Sequence, residues 1–94
     1  MRTITISRVS KFDGAFIPFE IYMDDQLVAR IENGKATRHN IDHNSHVLEV
    51  FANMGNGRHY SEECYVPEGR DSLNYRVYRK AKLIAKNDLY IEQI

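Results

Sequence analysis

Along most of this chain apolar and polar residues alternate one by one. In the first segment Ile4 and Ile6 fall on one side, with Val9 as a candidate third member, while Thr3, Thr5 and Ser7 fall on the other. That is the period of a strand with one buried face. Phe19, Ile21 and Met23 alternate with Glu20 and Tyr22 in a second run, and Pro18 in front of it marks a strand start or an edge. Leu27 to Glu32 and Lys35 to Ile41 form a third and a fourth run, which give Val28, Ile31 and Ile41 to the expected core. In Val47 to Ala52, Leu48 and Val50 face inward and Glu49 outward; in Tyr60 to Val66, Cys64 and Val66 oppose Ser61, Glu63 and Tyr65.

The breaks between runs carry turn chemistry. Lys11 to Ala15 turns around Asp13-Gly14, Asp24-Asp25-Gln26 is a short polar break, and Asp42-His43-Asn44-Ser45, Asn53-Met54-Gly55-Asn56-Gly57 and Pro67-Glu68-Gly69 turn the chain again. Asn33-Gly34 is the strongest hairpin signal, because both residues accept the positive φ of a type I′ turn; the fourth run is expected to return antiparallel on the third. The C-terminal stretch reads two ways. Leu73, Val77, Ala81 and Ile84 sit at helical spacing, whereas Tyr75 and Val77 followed by Leu89 and Ile91 fit two strands flanking Lys86-Asn87-Asp88. The tyrosines and the surrounding strands favour the second reading. Breakers at strand-sized intervals, with no long amphipathic helix between them, predict an all-β fold: an antiparallel immunoglobulin-like β-sandwich of about seven or eight strands, with a part-helical C-terminal stretch as the alternative.

At 94 residues the chain has the size of one domain, spanning 1–94. Its 13 basic and 13 acidic residues cancel, so no global field draws it to nucleic acid or to an anionic membrane. Cys64 stands alone, which excludes a disulfide within the chain and fits a reducing compartment or a secreted protein that never needed bridges. The first residues alternate instead of forming an apolar signal segment, and no run is long enough to cross a bilayer. A cytoplasmic protein without a membrane partner is the expectation, unless the chain is a fragment of a longer protein.

One stretch is similar to known proteins. Tyr22-Met23-Asp24-Asp25-Gln26-Leu27-Val28-Ala29-Arg30-Ile31-Glu32-Asn33-Gly34 reads as strand, acidic turn, strand and Asn-Gly turn, and His46-Val47-Leu48-Glu49-Val50 is similar to a Gly-x-His-x-Ile-x-Val strand. Together they resemble the small bacterial β-sandwich domains of the PEGA-like and related uncharacterised families, over roughly a third of the chain. Asp25 stands where those domains usually have a glycine after the turn aspartate, and Asn44-Ser45 stands near the glycine before their histidine. The resemblance implies an immunoglobulin-like fold and a binding or structural module. It brings no catalytic residues with it.

His39, His43 and His46 are spaced H-x3-H-x2-H, and His59 with Glu62 or Cys64 could complete a ligand set if the segments met. Two strands joined by a turn aim the three imidazoles in different directions, and the pattern matches no standard zinc signature. The expected reading is surface imidazoles, with His46 hydrogen-bonded at a strand end, and no metal is assigned. Asp24-Asp25 reads as turn chemistry, and Glu62-Glu63, neighbours in a strand, as carboxylates on opposite faces. Ser61 and Cys64 lack the surroundings of an activated nucleophile, Cys64 reading as an inert core thiol, and Gly55-Asn56-Gly57 lacks the third glycine and the helix of a phosphate cradle. No catalytic residue and no cofactor is expected.

Two surfaces remain. Arg76, Arg79, Lys80, Lys82 and Lys86 form the chain's run of positive charge, interleaved with Tyr75 and Tyr78. In a strand Arg76, Tyr78, Lys80 and Lys82 would share a face on which cations meet phosphates and the ring stacks on a base. Tyr22, Phe51, Tyr65 and Tyr78 fall opposite the inward positions of their strands, where rings anchor partner proteins or sugars unless a second layer covers them. The preferred expectation is a non-enzymatic interaction or assembly module that engages a protein partner, or a second copy through a sheet edge. Nucleic-acid binding through Arg76 to Lys86 is the alternative, and a histidine metal site comes third.

Overall fold

The computed structural model describes residues 1–11 and 15–94, and among these every regular element is a strand: β1 (Arg2–Arg8), β2 (Phe19–Met23), β3 (Gln26–Ile31), β4 (Ala36–Ile41), β5 (His46–Met54), β6 (Gly57–Tyr60), β7 (Cys64–Val66), β8 (Leu73–Arg79) and β9 (Leu89–Gln93). The turn expected around Asp13-Gly14 lies outside the described residues. Sheet A runs β4-β1-β8-β9; sheet B runs β3-β2-β5-β6, with β7 also paired to β5. Their inner faces share one apolar core, built from every second residue of the long strands, in a two-layered, sandwich-like arrangement. The C-terminal stretch is strand on both sides of an irregular loop, so the part-helical alternative is not supported: Tyr75 and Val77 are buried, while Asn74 before them and Arg76 between them are exposed.

Pairing departs from the expected order at several places. β1 and β8 run parallel, so sheet A is mixed and not purely antiparallel. The Asn33-Gly34 signal does not make a hairpin: β3 stays in sheet B while β4 crosses to pair with β1. Lys35 N–H donates to Glu32 C=O, and of the two central residues Gly34 alone has positive φ, 74°. That is the signature of a type II turn, whose twist splays the flanking strands instead of pairing them. The two-residue hairpin lies instead between β2 and β3, where Asp24 and Asp25 both have positive φ, 51° and 65°, and Met23 pairs with Gln26. The second position of this turn is therefore a left-handed one, occupied by Asp25.

The expected strand from Tyr60 to Val66 is two strands. Ser61 leaves sheet B to bridge Leu89 at the edge of sheet A, its hydroxyl accepting from Val50 N–H at 2.9 Å while its own N–H donates to Val50 C=O. Ser61 is buried, and Glu62 and Glu63 swing out into solvent. Val28, expected inside, is the extra residue of a bulge, because Ile21 pairs with Ala29 and Tyr22 with Leu27; it is exposed. Cys64 and Ile91 only pack against the core from the rim, while Ala52 and Leu89 are buried in it.

β1 closes the core at both ends. Its inward residues are Arg2, Ile4, Ile6 and Arg8 in strict alternation. Arg2 donates to the carbonyls of Asp42, Asn44 and Pro67 at 2.7–3.0 Å. Arg8 donates to those of Ile17 and Ile31 and lies over the Phe19 ring at 3.7 Å. These bonds satisfy the two buried guanidiniums and tie the loops at each end to β1.

Candidate functional site

The strand directions define two ends. One gathers the segments 9–11, 15–18, 32–35, 55–56 and 80–88; the other gathers 24–25, 42–45 and 67–72. A histidine organises each.

At the second end His46, the first residue of β5, stands between two carboxylates: Nδ1 is 2.5 Å from Asp24 Oδ2 and Nε2 is 2.6 Å from Asp42 Oδ1. Asp24 also accepts from Val47 N–H at 2.9 Å, and its own N–H donates to Val47 C=O, which ties the β2–β3 turn to β5. The hydrogen bond to Asp24 raises the His46 pKa above its ordinary 6.5 against the opposing effect of burial, with Asp42 adding to the rise. The same bonds hold both carboxyls low, His46 first and a backbone N–H second in each case, Val47 for Asp24 and Asn44 for Asp42.

At the first end His59 Nδ1 is 2.7 Å from Asp88 Oδ1, and Arg79 Nε donates to Asp88 Oδ2 at 2.9 Å. Asp88 is wholly buried and His59 is 2 % exposed. Burial pushes the Asp88 carboxyl upward, but the hydrogen bonds from His59 and then Arg79 outweigh it and leave the carboxyl below its ordinary value. The remaining ring nitrogen of His59, 2.6 Å from Asn56 Oδ1, is occupied, and the Ser61 hydroxyl is spent on Val50. The pair has the geometry of a histidine oriented by an aspartate without a nucleophile joined to it. Its evident work is mechanical: it fastens the 80–88 loop to β6, together with Tyr60 N–H on Lys86 C=O and Lys80 N–H on Asp88 C=O.

The four histidines do not converge. His39 sits on β4 facing the rim of the core, 3.0 Å from Thr37 Oγ1, with burial lowering its pKa; His43 is exposed in the 42–45 turn. Among the described residues no three histidine, cysteine, aspartate or glutamate side chains are grouped to hold a metal ion. Asp24 and Asp42 approach His46 from its two different nitrogens, which separates them instead of converging them.

The outer face of sheet B is open. Tyr22 meets Phe51 edge to face at 5.1 Å, and Arg58 lies over Phe51 at 4.0 Å, bonds the Tyr22 hydroxyl and faces Glu20. Tyr60 and Tyr65 stand at the edge of the same face, 44 % and 72 % exposed. Beside Tyr22, Glu49 has its carboxyl raised by burial and then by Glu63 and Asp25. Arg58 escaped the sequence reading; the tight turn before it, which sets Asn53 opposite Arg58, was the available signal.

The outer face of sheet A separates the expected cationic set. Arg76 and Tyr78 do share it, but Arg76 is paired with Glu92, and β8 ends at Arg79, which turns inward. Lys80 and Lys82 lie in the loop beyond. Lys82 returns to lie 5.8 Å from the Tyr90 ring, which stacks on Tyr78 at 5.4 Å, and Lys11 lies 5.9 Å from the Tyr78 ring. Between the sheet edges a cleft of about 250 Å³ is lined by Glu62, Glu63, Cys64, Lys82, Asn87, Leu89, Tyr90 and Ile91; burial raises the Cys64 pKa, which disfavours a reactive thiolate there. No helix among the described residues is long and apolar enough to cross a membrane.

Comparison of the chain with protein-family models, with curated proteins and with solved structures gave no match.

Proposed function

We propose that the protein is a non-enzymatic interaction module of immunoglobulin-like, PEGA-like architecture that receives a protein partner on the outer face of sheet B. The observation that carries this reading is the cluster of Tyr22, Phe51, Arg58, Tyr60 and Tyr65 on a sheet face that no other layer covers. Tyrosine and arginine dominate the energetics of protein interfaces, and here the half-buried rings are already ordered by one another and by Arg58, which lowers the entropy cost of docking. The two-layered arrangement and the acidic β2–β3 hairpin support the architectural part. A second copy could instead add to a sheet edge; β4 suits this best, since β3 is blunted by its bulge and β9 is bridged by Ser61. The test is affinity capture from native extract with the wild-type chain and with Arg58→Ala and Tyr65→Ala, alongside light scattering. A species retained by the wild type and lost by both variants, whose circular dichroism is unchanged, supports the reading. A monomer at all concentrations with no species distinguishing the three chains defeats it.

A second reading, nucleic-acid binding, is favoured by the stacked Tyr78–Tyr90 pair with Lys11 and Lys82 at its flanks. It requires Tyr78→Ala and Lys82→Gln each to weaken single-stranded oligonucleotide binding in fluorescence anisotropy.

A further inference from the structure

A chain with no net charge has its lysines sorted to one place. All of them, Lys11, Lys35, Lys80, Lys82 and Lys86, lie at the end that gathers the segments after β1, between β3 and β4, and between β8 and β9. Among the described residues none is paired with a carboxylate: Lys11 and Lys82 reach a carbonyl, an amide oxygen and the rings of Tyr78 and Tyr90. Arg30, Arg58, Arg76 and Arg79, by contrast, each face an acid. The opposite end carries Asp24, Asp25, Asp42, Glu68 and Asp71 beside Arg70, while the lysine end carries Glu32.

At the lysine end three large apolar side chains stand out in water: Leu83 and Phe16, each 100 % exposed, and Ile84, 93 %. Leu83 and Ile84 form the tip of the 80–88 loop, whose neck is fixed. Its neck is closed by Lys80 N–H on Asp88 C=O at 3.0 Å and by Arg79 and His59 on the buried Asp88 carboxylate. The core place next to it is already filled by Leu89. The apolar pair is therefore carried beyond a closed neck, in the same loop as Lys80, Lys82 and Lys86.

A protruding apolar tip among unpaired cations matches a medium that is anionic at its surface and apolar just beneath it. Nucleic acid would satisfy the lysines but has nothing for two aliphatic side chains, which cannot stack on bases. We infer that the protein docks end-on to a membrane surface bearing anionic phospholipids, with Leu83, Ile84 and Phe16 entering the interface and Lys80, Lys82 and Lys86 against the headgroups. This surface is distinct from the outer face of sheet B, and the acidic end would point away from the lipid.

The test is flotation of the full chain with vesicles of phosphatidylcholine alone and with vesicles in which a third of the lipid is phosphatidylserine. Binding is expected to the second only, weakening with added salt and by about fivefold for each of Lys80→Gln and Lys82→Gln. The double variant Leu83→Ser, Ile84→Ser is expected to lose about tenfold or more. Arg70→Gln, which removes one charge from the far end, should change nothing. Absence of binding to the anionic vesicles, equal binding to both kinds, or loss in the lysine variants without loss in the apolar one overturns the inference; in the last case, parallel loss of oligonucleotide binding would assign the lysine end to nucleic acid. Because Tyr65→Ala leaves this surface intact, failure here and failure of the interaction-module reading are separately visible.

Discussion

His59 and His46 each stand between two oxygen acceptors at hydrogen-bond distance, at opposite ends of the same fold, but the side chains around them differ in burial: Asp88 is fully buried, whereas Asp24 and Asp42 are 50 % and 52 % exposed. The contrast separates two uses of one pairing. In the buried case two donors are committed to one carboxylate out of reach of water, so loss of either donor leaves a buried charge less compensated, and the network behaves as a fixed fastener for the 80–88 loop. In the open case water can replace each partner, so the contribution is small and follows pH.

The largest effect expected from breaking this contrast is on Asp88. Asp88→Asn should lower the unfolding free energy by about 3–5 kcal/mol, because Arg79 and His59 lose the charge they compensate. Replacing His59, Asp88 and Arg79 together with apolar residues of similar volume should cost much less than the single change; urea denaturation measures both. Asp24→Ala should cost only about 1 kcal/mol after solvent screening, through loss of the bonds from Val47 N–H and His46. A cost at Asp24 equal to that at Asp88 would erase the distinction.

A smaller and more specific effect lies in pH. The pKa of His46 is raised by folding, so its stabilisation is complete below its ordinary 6.5 and is lost as pH rises through the folded value. The carboxyls of Asp24 and Asp42 are depressed, so theirs is present above the ordinary 3.8 and lost as pH falls through the lower folded values. The triad is tightest between those limits. His39, whose pKa burial lowers, acts in the opposite direction and loses stability as pH falls below 6.5. Stability measured across this range should therefore lose its alkaline decline in His46→Gln and keep it in His39→Gln. The smallest effect is at Asp25, which shares the left-handed backbone of Asp24: Asp25→Gly should stabilise by up to about 1 kcal/mol, since relief of the strained φ exceeds the added chain entropy. The same change at Asp24 should destabilise, because there the side chain is anchored.

Much of the architecture could be read from parity. Outside β3 and the split between β6 and β7, strand positions follow the one-by-one alternation from Ile4 to Val77, and the same parity held an overlooked message, since Arg2 and Arg8 share the side of Ile4 and Ile6. Burial of two arginines becomes intelligible only when the carbonyls of 17, 31, 42, 44 and 67 are seen to converge on them. The bulge at Val28 and the bridge at Ser61 were hidden for a similar reason: each depends on what the neighbouring strand does. Of the candidate site residues, Tyr22 and Tyr65 fall on one open face, Arg76 and Tyr78 on the other, and Lys80 and Lys82 in a loop that the strand reading had straightened.

The sequence by itself determined that the chain is built of strands and which side of most strands is apolar, because side-chain alternation is a property of each extended segment alone. Only the tertiary structure decided that Gly34 sends β4 to the other sheet, that β1 and β8 run parallel, and that Asp24 meets His46 and His59 meets Asp88. Those outcomes depend on which segments become neighbours, and the collection of every lysine at one end follows from the same choice: charges scattered along the chain acquire a direction only after the strands are laid side by side.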